Sequence, residues 1–309
     1  MKLTFCPINA DNSSLDPFLD LIELEWVKIG GNPGLNTFYK KKLRNLDRKT
    51  TISEFVIYDN QIVGCYWNLL ESSHYGSITF LSNADIIDSI TTRAVENGVF
   101  HNCQTEVIAP LFKTKYKNSL KQHPIIINER HRMLLKLDTI EPFEITENKF
   151  DFFLMDERYA EITGTISYEA HLMSQDYPDY PEMNTLKKRI QLEKNIFKGR
   201  SGTFNSTASI MACWNNEVVG FCSIVNVKNF GDHEIVPWIF DISVHPNFMG
   251  RKIGKHLLKL SINALIKQKL PLLGLSVTET NFSALRLYET LGFTVYDDFF
   301  EFIKPIRTN

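Results

Sequence analysis

Between Met249 and Lys255 the chain reads Met-Gly-Arg-Lys-Ile-Gly-Lys, with two glycines and three cations inside seven residues. The stretch ahead of it, WIFDISV (238–244), is β-branched and aromatic, and Pro246 ends it as a strand. Behind it, Ile253, Leu257, Leu258, Ile262, Leu265 and Ile266 recur at helical spacing. A strand, a short glycine-containing loop and a helix N-terminus bring free backbone N–H groups together, where the helix dipole favours negative charge. The expected guest is a pyrophosphate, with Arg251, Lys252 and Lys255 adding positive charge. Two other phosphate loops are excluded by spacing. Gly-Arg-Lys-Ile-Gly-Lys is one residue short of the P-loop and places His256 where Ser or Thr should hold Mg²⁺. The Gly-x-Gly-x-x-Gly of dinucleotide-binding folds is absent.

A second candidate stretch follows at LGLSVTETNFSALRLYETLGFTVYDDF (273–299), which reads strand, helix, strand. Asn281 suits the helix N-cap, Gly292 the residue after its end, and Ala284, Leu287, Tyr288 and Leu291 one apolar face. The two stretches together resemble the GNAT acetyltransferases. ISVHPNFMGRKIGKHLL is similar to motif A of that family, whose loop usually runs Gln/Arg-x-x-Gly-x-Gly/Ala. Met249 then stands at the Gln/Arg place, Lys252 at the first glycine and Gly254 at the last. The run Asn281, Ala284, Leu287, Tyr288, Gly292, Phe293 resembles motif B.

The resemblance implies an N-acetyltransferase that uses acetyl-CoA as co-substrate and no metal. The pantetheine arm is expected along Ile242, Ser243 and Val244, like an added strand. Its phosphates are expected at Met249, Gly250, Arg251, Lys252, Ile253, Gly254 and Lys255, with Asn281, Ala284 and Tyr288 completing the site. The acyl group would pass directly to a primary amine. Tyr288 would be the general acid for the leaving thiolate, and a backbone N–H near Val244 would polarise the carbonyl. Asp241 and Glu234 are the leading candidates for the base, with His233, Glu279 and a water relay as alternatives.

These residues need elements to hold them. The chain has 309 residues, 43% of them hydrophobic and 12% aromatic, so it can bury a substantial core, as two domains of ordinary size or one large one. EFVIYDNQIVGCYWNLL reads as two strands around an Asp59-Asn60 turn, and ASIMACWNNEVVGFCSIVNV as two strands around Asn215-Asn216. Val63-Gly64 matches Val219-Gly220, and the surrounding order of elements repeats. The resulting expectation is an α+β fold of two tandem GNAT-like domains, each a mixed, mostly antiparallel sheet flanked by helices. Residues 1–140 form a degenerate copy and 141–309 the catalytic one. Further helices are expected at 35–46, 111–122, 156–174 and 183–197, and a hairpin from PIIIN and RHRMLLKLD. At the place matching the loop, FLSNADIIDSITTRAV (80–95) has no glycine and offers Asp85 and Asp88, which repel phosphates.

The formal charge of -2, from 34 basic and 36 acidic residues, argues against a nucleic-acid partner. The clusters at 40–44 and 187–189 read as solvated helix faces. Five scattered cysteines without a C-x-x-C pair fit reduced thiols. No apolar run suggests a leader or a membrane span, so a cytoplasmic protein is expected. The partner is a small-molecule amine or a peptide acceptor, and the sequence does not set the oligomeric state. An acyl-CoA-binding sensor or interaction scaffold with the same fold is the alternative to an enzyme.

Overall fold

The computed structural model describes residues 3–7, 15–28, 51–69, 80–81, 86–96, 105–107, 113–145, 149–174, 184–230 and 233–303. The helix expected at 35–46 and Asp85 lie outside the described residues. Two compact units emerge, Met1–Arg130 with Asp297–Asn309, and His131–Tyr296.

In the first unit β1 (Leu3–Pro7), β2 (Thr51–Tyr58), β3 (Gln61–Leu69) and β4 (Phe80–Leu81) form a sheet in that order. Its helices are α1 (Leu15–Lys28), α2 (Ile87–Glu96) and α3 (Lys113–Leu120), and a short strand β5 (Thr105–Val107) precedes α3. Val56, Val63, Ile87, Ile90, Ala94, Tyr116 and Leu120 are buried together. Asp59 and Asn60 have φ of 46° and 64°. Two successive left-handed residues make the type I′ turn whose twist matches paired strands. The pairing then slips: Val56 faces Gly64 and Ile57 faces Ile62, which leaves Val63 as a bulge. PIIIN and RHRMLLKLD do not form the expected hairpin. Residues Ile126–Lys136 run as one strand, β6, because Asn128, Glu129 and Arg130 continue extended without a Gly or Pro to turn the chain.

The second unit contains β7 (Asp151–Leu154), α4 (Ala160–Leu172), α5 (Leu186–Phe197), β8 (Thr203–Phe204), β9 (Ile210–Trp214), β10 (Glu217–Phe230) and β11 (His233–Val244). After these come α6 (Ile253–Lys267), β12 (Leu272–Thr278), α7 (Phe282–Glu289) and the first residues of β13 (Thr294–Ile303), whose remainder belongs to the first unit. The sheet runs β6-β12-β11-β10-β9-β7, antiparallel from β11 through β7 and parallel between β11 and β12. This is the mixed α+β architecture that the sequence indicated. Asn215 and Asn216, at φ of 48° and 66°, make the same turn as Asp59-Asn60, and Val219 is again the bulged residue.

Because side chains alternate along a strand, Phe221 and Cys222 face opposite ways. Cys222 and Ile224 join Leu257, Leu258, Ile262 and Leu265 of α6 in the larger core. Phe221 and Met211 meet Ile166 of α4 on the other face. α4 and α5 touch closely, with a Cβ on Gly164 falling 2.8 Å from the Ile190 Cα. Among the described residues no helix is long and apolar enough to cross a membrane.

Candidate acyl-CoA site

The parallel pairing of β11 with β12 is short. Trp238 faces Gly274 and Ile239 faces Leu275, after which β11 runs on to Val244 and β12 to Thr278 without pairing. The separation coincides with an irregularity on the other side of β11. Ser223 faces Asp241 but Ile224 faces Ile239, leaving Phe240 as an extra residue. A bulge bends its strand and increases the local twist, so β11 turns away from β12 here. Trp238 covers Gly274 so tightly that a Cβ there would fall 2.2 Å from its ring.

The direction of the unpaired groups follows from the ladder. The His245 N–H donates to the Val219 carbonyl at 2.9 Å. Antiparallel residues alternate between bonding the neighbour and facing away. With Ser243 opposite Phe221 and Asp241 opposite Ser223, the backbones of Asp241 and Ser243 are engaged by β10. Those of Ile242 and Val244 point into the space left by β12. An extended, amide-containing chain can add there as a strand would.

The expected phosphate loop closes one end of this edge. Gly250 has φ of 77° and open space at its Cβ position. Lys252 has φ of 63° and ψ of 11°, left-handed, and forms the N-cap of α6. The first intrahelical bond runs from the His256 N–H to the Lys252 carbonyl, at 3.1 Å. The N–H groups of Ile253, Gly254 and Lys255 therefore form an open first turn. A Cβ on Gly254 would lie 3.8 Å from Leu287, 3.9 Å from Val244 and 4.0 Å from Ile242, so that turn faces both the strand edge and α7. Met249 and Lys252 are exposed. Arg251 folds back, its guanidinium 4.9 Å from the Phe248 ring centre and within 3.4 Å of the Asn247 carbonyl.

On α7, Asn281 is the N-cap: its side-chain oxygen accepts the Ala284 N–H at 3.2 Å. Gly292, at φ of 94°, ends the helix, and the Phe293 N–H returns to the Tyr288 carbonyl at 3.1 Å. Tyr288 is 6% exposed, its ring 5.7 Å from that of Phe293. Ala284 and Leu287 pack against the same core.

The opposite face of β11 carries a buried polar cluster. Asp241 is 6% exposed and is not an open carboxylate. Arg189 of α5 reaches its Oδ2 at 2.5 Å, the Ser167 hydroxyl of α4 donates to the same oxygen at 2.5 Å, and Ser243 donates to Oδ1 at 2.9 Å. Burial by itself raises the Asp241 carboxyl. The Arg189 guanidinium, then His171, Ser167 and Ser243, outweigh it and hold the group below the ordinary carboxylate range. Glu193, one helical turn beyond Arg189, is fully buried, and neither carboxyl oxygen has a hydrogen-bond partner among the described residues. Burial, with the charge of Asp241 adding and Arg189 opposing, pushes it up to about 8, so it holds its proton at neutral pH. Cys222, driven to about 12 mainly by burial, is no nucleophile.

With this geometry in place, the relevant likenesses are specific. Residues 168–293 match the acetyltransferase (GNAT) family. This segment is a GNAT domain. Its family transfers acyl groups from acyl-CoA. Three solved structures share the fold over the chain's length. A GCN5-related N-acetyltransferase from Sphaerobacter thermophilus has TM-score 0.65 and 16% identity, covering 98% of this chain and 96% of its own. A tandem GNAT protein from the clavulanic acid biosynthesis pathway has TM-score 0.53 and 13% identity over 100% of both chains. A GNAT-family acetyltransferase from Colwellia psychrerythraea has TM-score 0.51 and 9% identity, covering 99% and 100%. At such identities these show the fold alone. No curated protein matches the sequence.

The GNAT domain brings most of the expected residues together: the Ile242–Val244 edge, the Met249–Lys255 loop, and α7 against both. Ser243 turns its side chain to the Asp241 cluster, and Asn281 serves its own helix. Glu234 is not brought in. It is exposed near the start of β11, eight residues before Ile242, or roughly 25 Å at ~3.3 Å per residue. His233 lies at the start of β11, opposite Phe230, and Glu279 is exposed ahead of α7. Sequence reasoning missed Ser167, His171, Arg189 and Glu193. The signal was present on α5, where Arg189, Leu192, Glu193 and Ile196 follow the spacing of one buried face. Among the described residues no His, Cys, Asp or Glu group is arranged to hold a metal ion.

Proposed function

We propose that this chain is an acetyl-CoA-dependent N-acetyltransferase acting on a primary amine. The observation that carries the reading is the bulge at Phe240, which frees the Ile242–Val244 edge directly opposite the open first turn of α6. Acetyl-CoA fits this frame: an amide-bearing arm for the strand edge, and a pyrophosphate for the N–H groups of residues 253–255. The Ile242 N–H, the first to face the gap after the bulge, polarises the thioester carbonyl. The free amine attacks that carbonyl carbon, the C–N bond forms, and the C–S bond breaks as the thiolate leaves. Tyr288 gives the thiolate its proton; a buried tyrosine on the helix lining the strand edge supports this role.

The first unit reads as a second copy of the fold that has lost the cofactor loop. Its I′ turn and bulged Val63 repeat those at Val219, and a tandem GNAT protein superposes over the full length. The acceptor is a small-molecule amine or a peptide amine.

Thermal melting with acetyl-CoA tests cofactor binding: a ligand at ~100 times its dissociation constant stabilises by about 2.7 kcal/mol. No shift at millimolar concentration would exclude both the enzyme and an acyl-CoA sensor. Release of CoA thiol across a panel of amines and peptides then separates the two, since a sensor releases none. For an accepted amine, Tyr288→Phe lowers kcat about 10²-fold with acetyl-CoA affinity unchanged. Unchanged turnover removes Tyr288 as the acid.

A further inference from the structure

The attacking amine arrives as an ammonium and must lose a proton, yet Asp241 is locked in an ion pair and Glu193 already holds a proton. We infer that His171, near the C-terminal end of α4, is the catalytic base of this domain; the inference rests on the N-acetyltransferase reading above.

Three observations converge on it. The first is orientation. His171 Nδ1 lies 2.8 Å from the Ser167 carbonyl, an acceptor only, so Nδ1 carries the hydrogen. The other ring nitrogen, Nε2, has no partner among the described residues. An imidazole whose Nδ1 hydrogen is held by a carbonyl is set in the tautomer that accepts at Nε2.

The second is support for the charge that would form. Asp241 and His171 lie within charge–charge reach. The Ser167 hydroxyl joins them, 2.5 Å from Asp241 Oδ2 and 3.4 Å from His171 Nδ1. An imidazolium at position 171 thus forms beside a carboxylate that stays ionised. Asp241, Arg189 and Ser167 are positioning residues in this arrangement.

The third is placement. α4 follows β11 along the cofactor edge, with Ser167 at Asp241 and Glu169 Oε2 3.2 Å from His245 Nε2. Half-buried His171, one turn beyond Ser167, therefore lies beside the Asp241 side chain of β11, the strand whose Ile242 and Val244 backbone groups line the proposed cofactor edge. Among the titratable groups on the packed elements are Asp241 of β11, with His245 directly after that strand, and Arg189 and Glu193 of α5, with Glu169 on α4 itself.

The step balances. Nε2 of His171 takes one proton from R–NH₃⁺, and the amine lone pair forms the C–N bond. The second amine proton is lost as the C–S bond breaks and the sulfur is protonated, giving the amide, CoA–SH and one proton that His171 releases to water.

The test pairs two acceptors of similar shape. One is an alkylamine, protonated at assay pH; the other is a hydrazide or alkoxyamine analogue that is already neutral. In His171→Asn the side-chain amide keeps a donor for the Ser167 carbonyl but cannot take the proton. The expected result is a loss of about 10²-fold or more in kcat/KM for the alkylamine. For the neutral analogue the loss is only a few-fold, and acetyl-CoA affinity is unchanged. Equal losses for both acceptors, no loss, or a matching fall in acetyl-CoA affinity overturns the assignment of His171 alone. Failure of the wild-type chain to turn over any amine overturns the acetyltransferase reading and the base with it. His171→Gln, which preserves side-chain length, gives the same comparison if the Asn variant does not fold.

Discussion

At the scale of single residues, Lys252 is the departure from the GNAT loop that matters. The family prefers glycine there, and the backbone explains why: the position is left-handed, with φ of 63°. An L residue in that region costs roughly 1–2 kcal/mol, partly offset by the ~0.5–1 kcal/mol that glycine loses in freedom on folding. Lys252→Gly is therefore expected to stabilise the domain by up to about 1 kcal/mol, a rise in Tm of roughly 2–4 °C. The same change removes a cation from the first turn of α6, so the acetyl-CoA Kd should rise a few-fold, less so at high salt. Melting curves and titration calorimetry read the two effects separately. A lower Tm would mean that the lysine side chain holds the loop.

Element by element, α5 does the work that its sequence half conceals. Its exposed face carries Lys187 and Lys188, which read as solvated, while Arg189 and Glu193 lie on the stripe of Leu192 and Ile196. Glu193 has an ordinary value of 4.5, which rises to about 8 on folding. Between those values the unfolded chain has released a proton that the folded chain keeps. Stability from this group is complete below pH 4.5 and falls as pH rises towards 8. With ~1.4 kcal/mol per pH unit, the loss is on the order of 5 kcal/mol at most. Glu193→Gln cannot ionise, so its Tm should exceed wild type clearly at pH 8 and little at pH 5. A constant difference across that range would show that Glu193 is ionised in the folded state. The cofactor half of the site was legible because it is built from local rules: a strand, a glycine loop, a capped helix, each with its own signature. The polar cluster joins Ser167, Arg189 and Asp241 across separations of 22 and 52 residues. No local spacing encodes such contacts, and only strand alternation hinted that Asp241 would turn away from the edge. The bulge at Phe240 was equally silent, since it is set by the register of β11 against β10 rather than by its own residue type.

For the whole molecule, the comparison is between two units that start from the same hairpin. Both have a left-handed turn pair and a bulged valine, at Val63 and Val219. They differ in what a cofactor would meet. The second unit offers the open turn of residues 253–255 and three nearby cations. In the first, the stretch 80–95 has no glycine, and exposed Asp88 stands in the first turn of α2. There an acid already occupies the favourable field of the helix N-terminus, so a polyphosphate gains less and is repelled. One acetyl-CoA per chain is the expected stoichiometry by titration calorimetry, despite two copies of the fold. Gly254→Asp, which adds a carboxylate to the facing turn of α6, should abolish that single binding event, because it recreates in the second unit the obstacle present in the first. A stoichiometry of two, or binding that survives Gly254→Asp, would place a cofactor in the first unit and overturn its reading as a copy that has lost the loop.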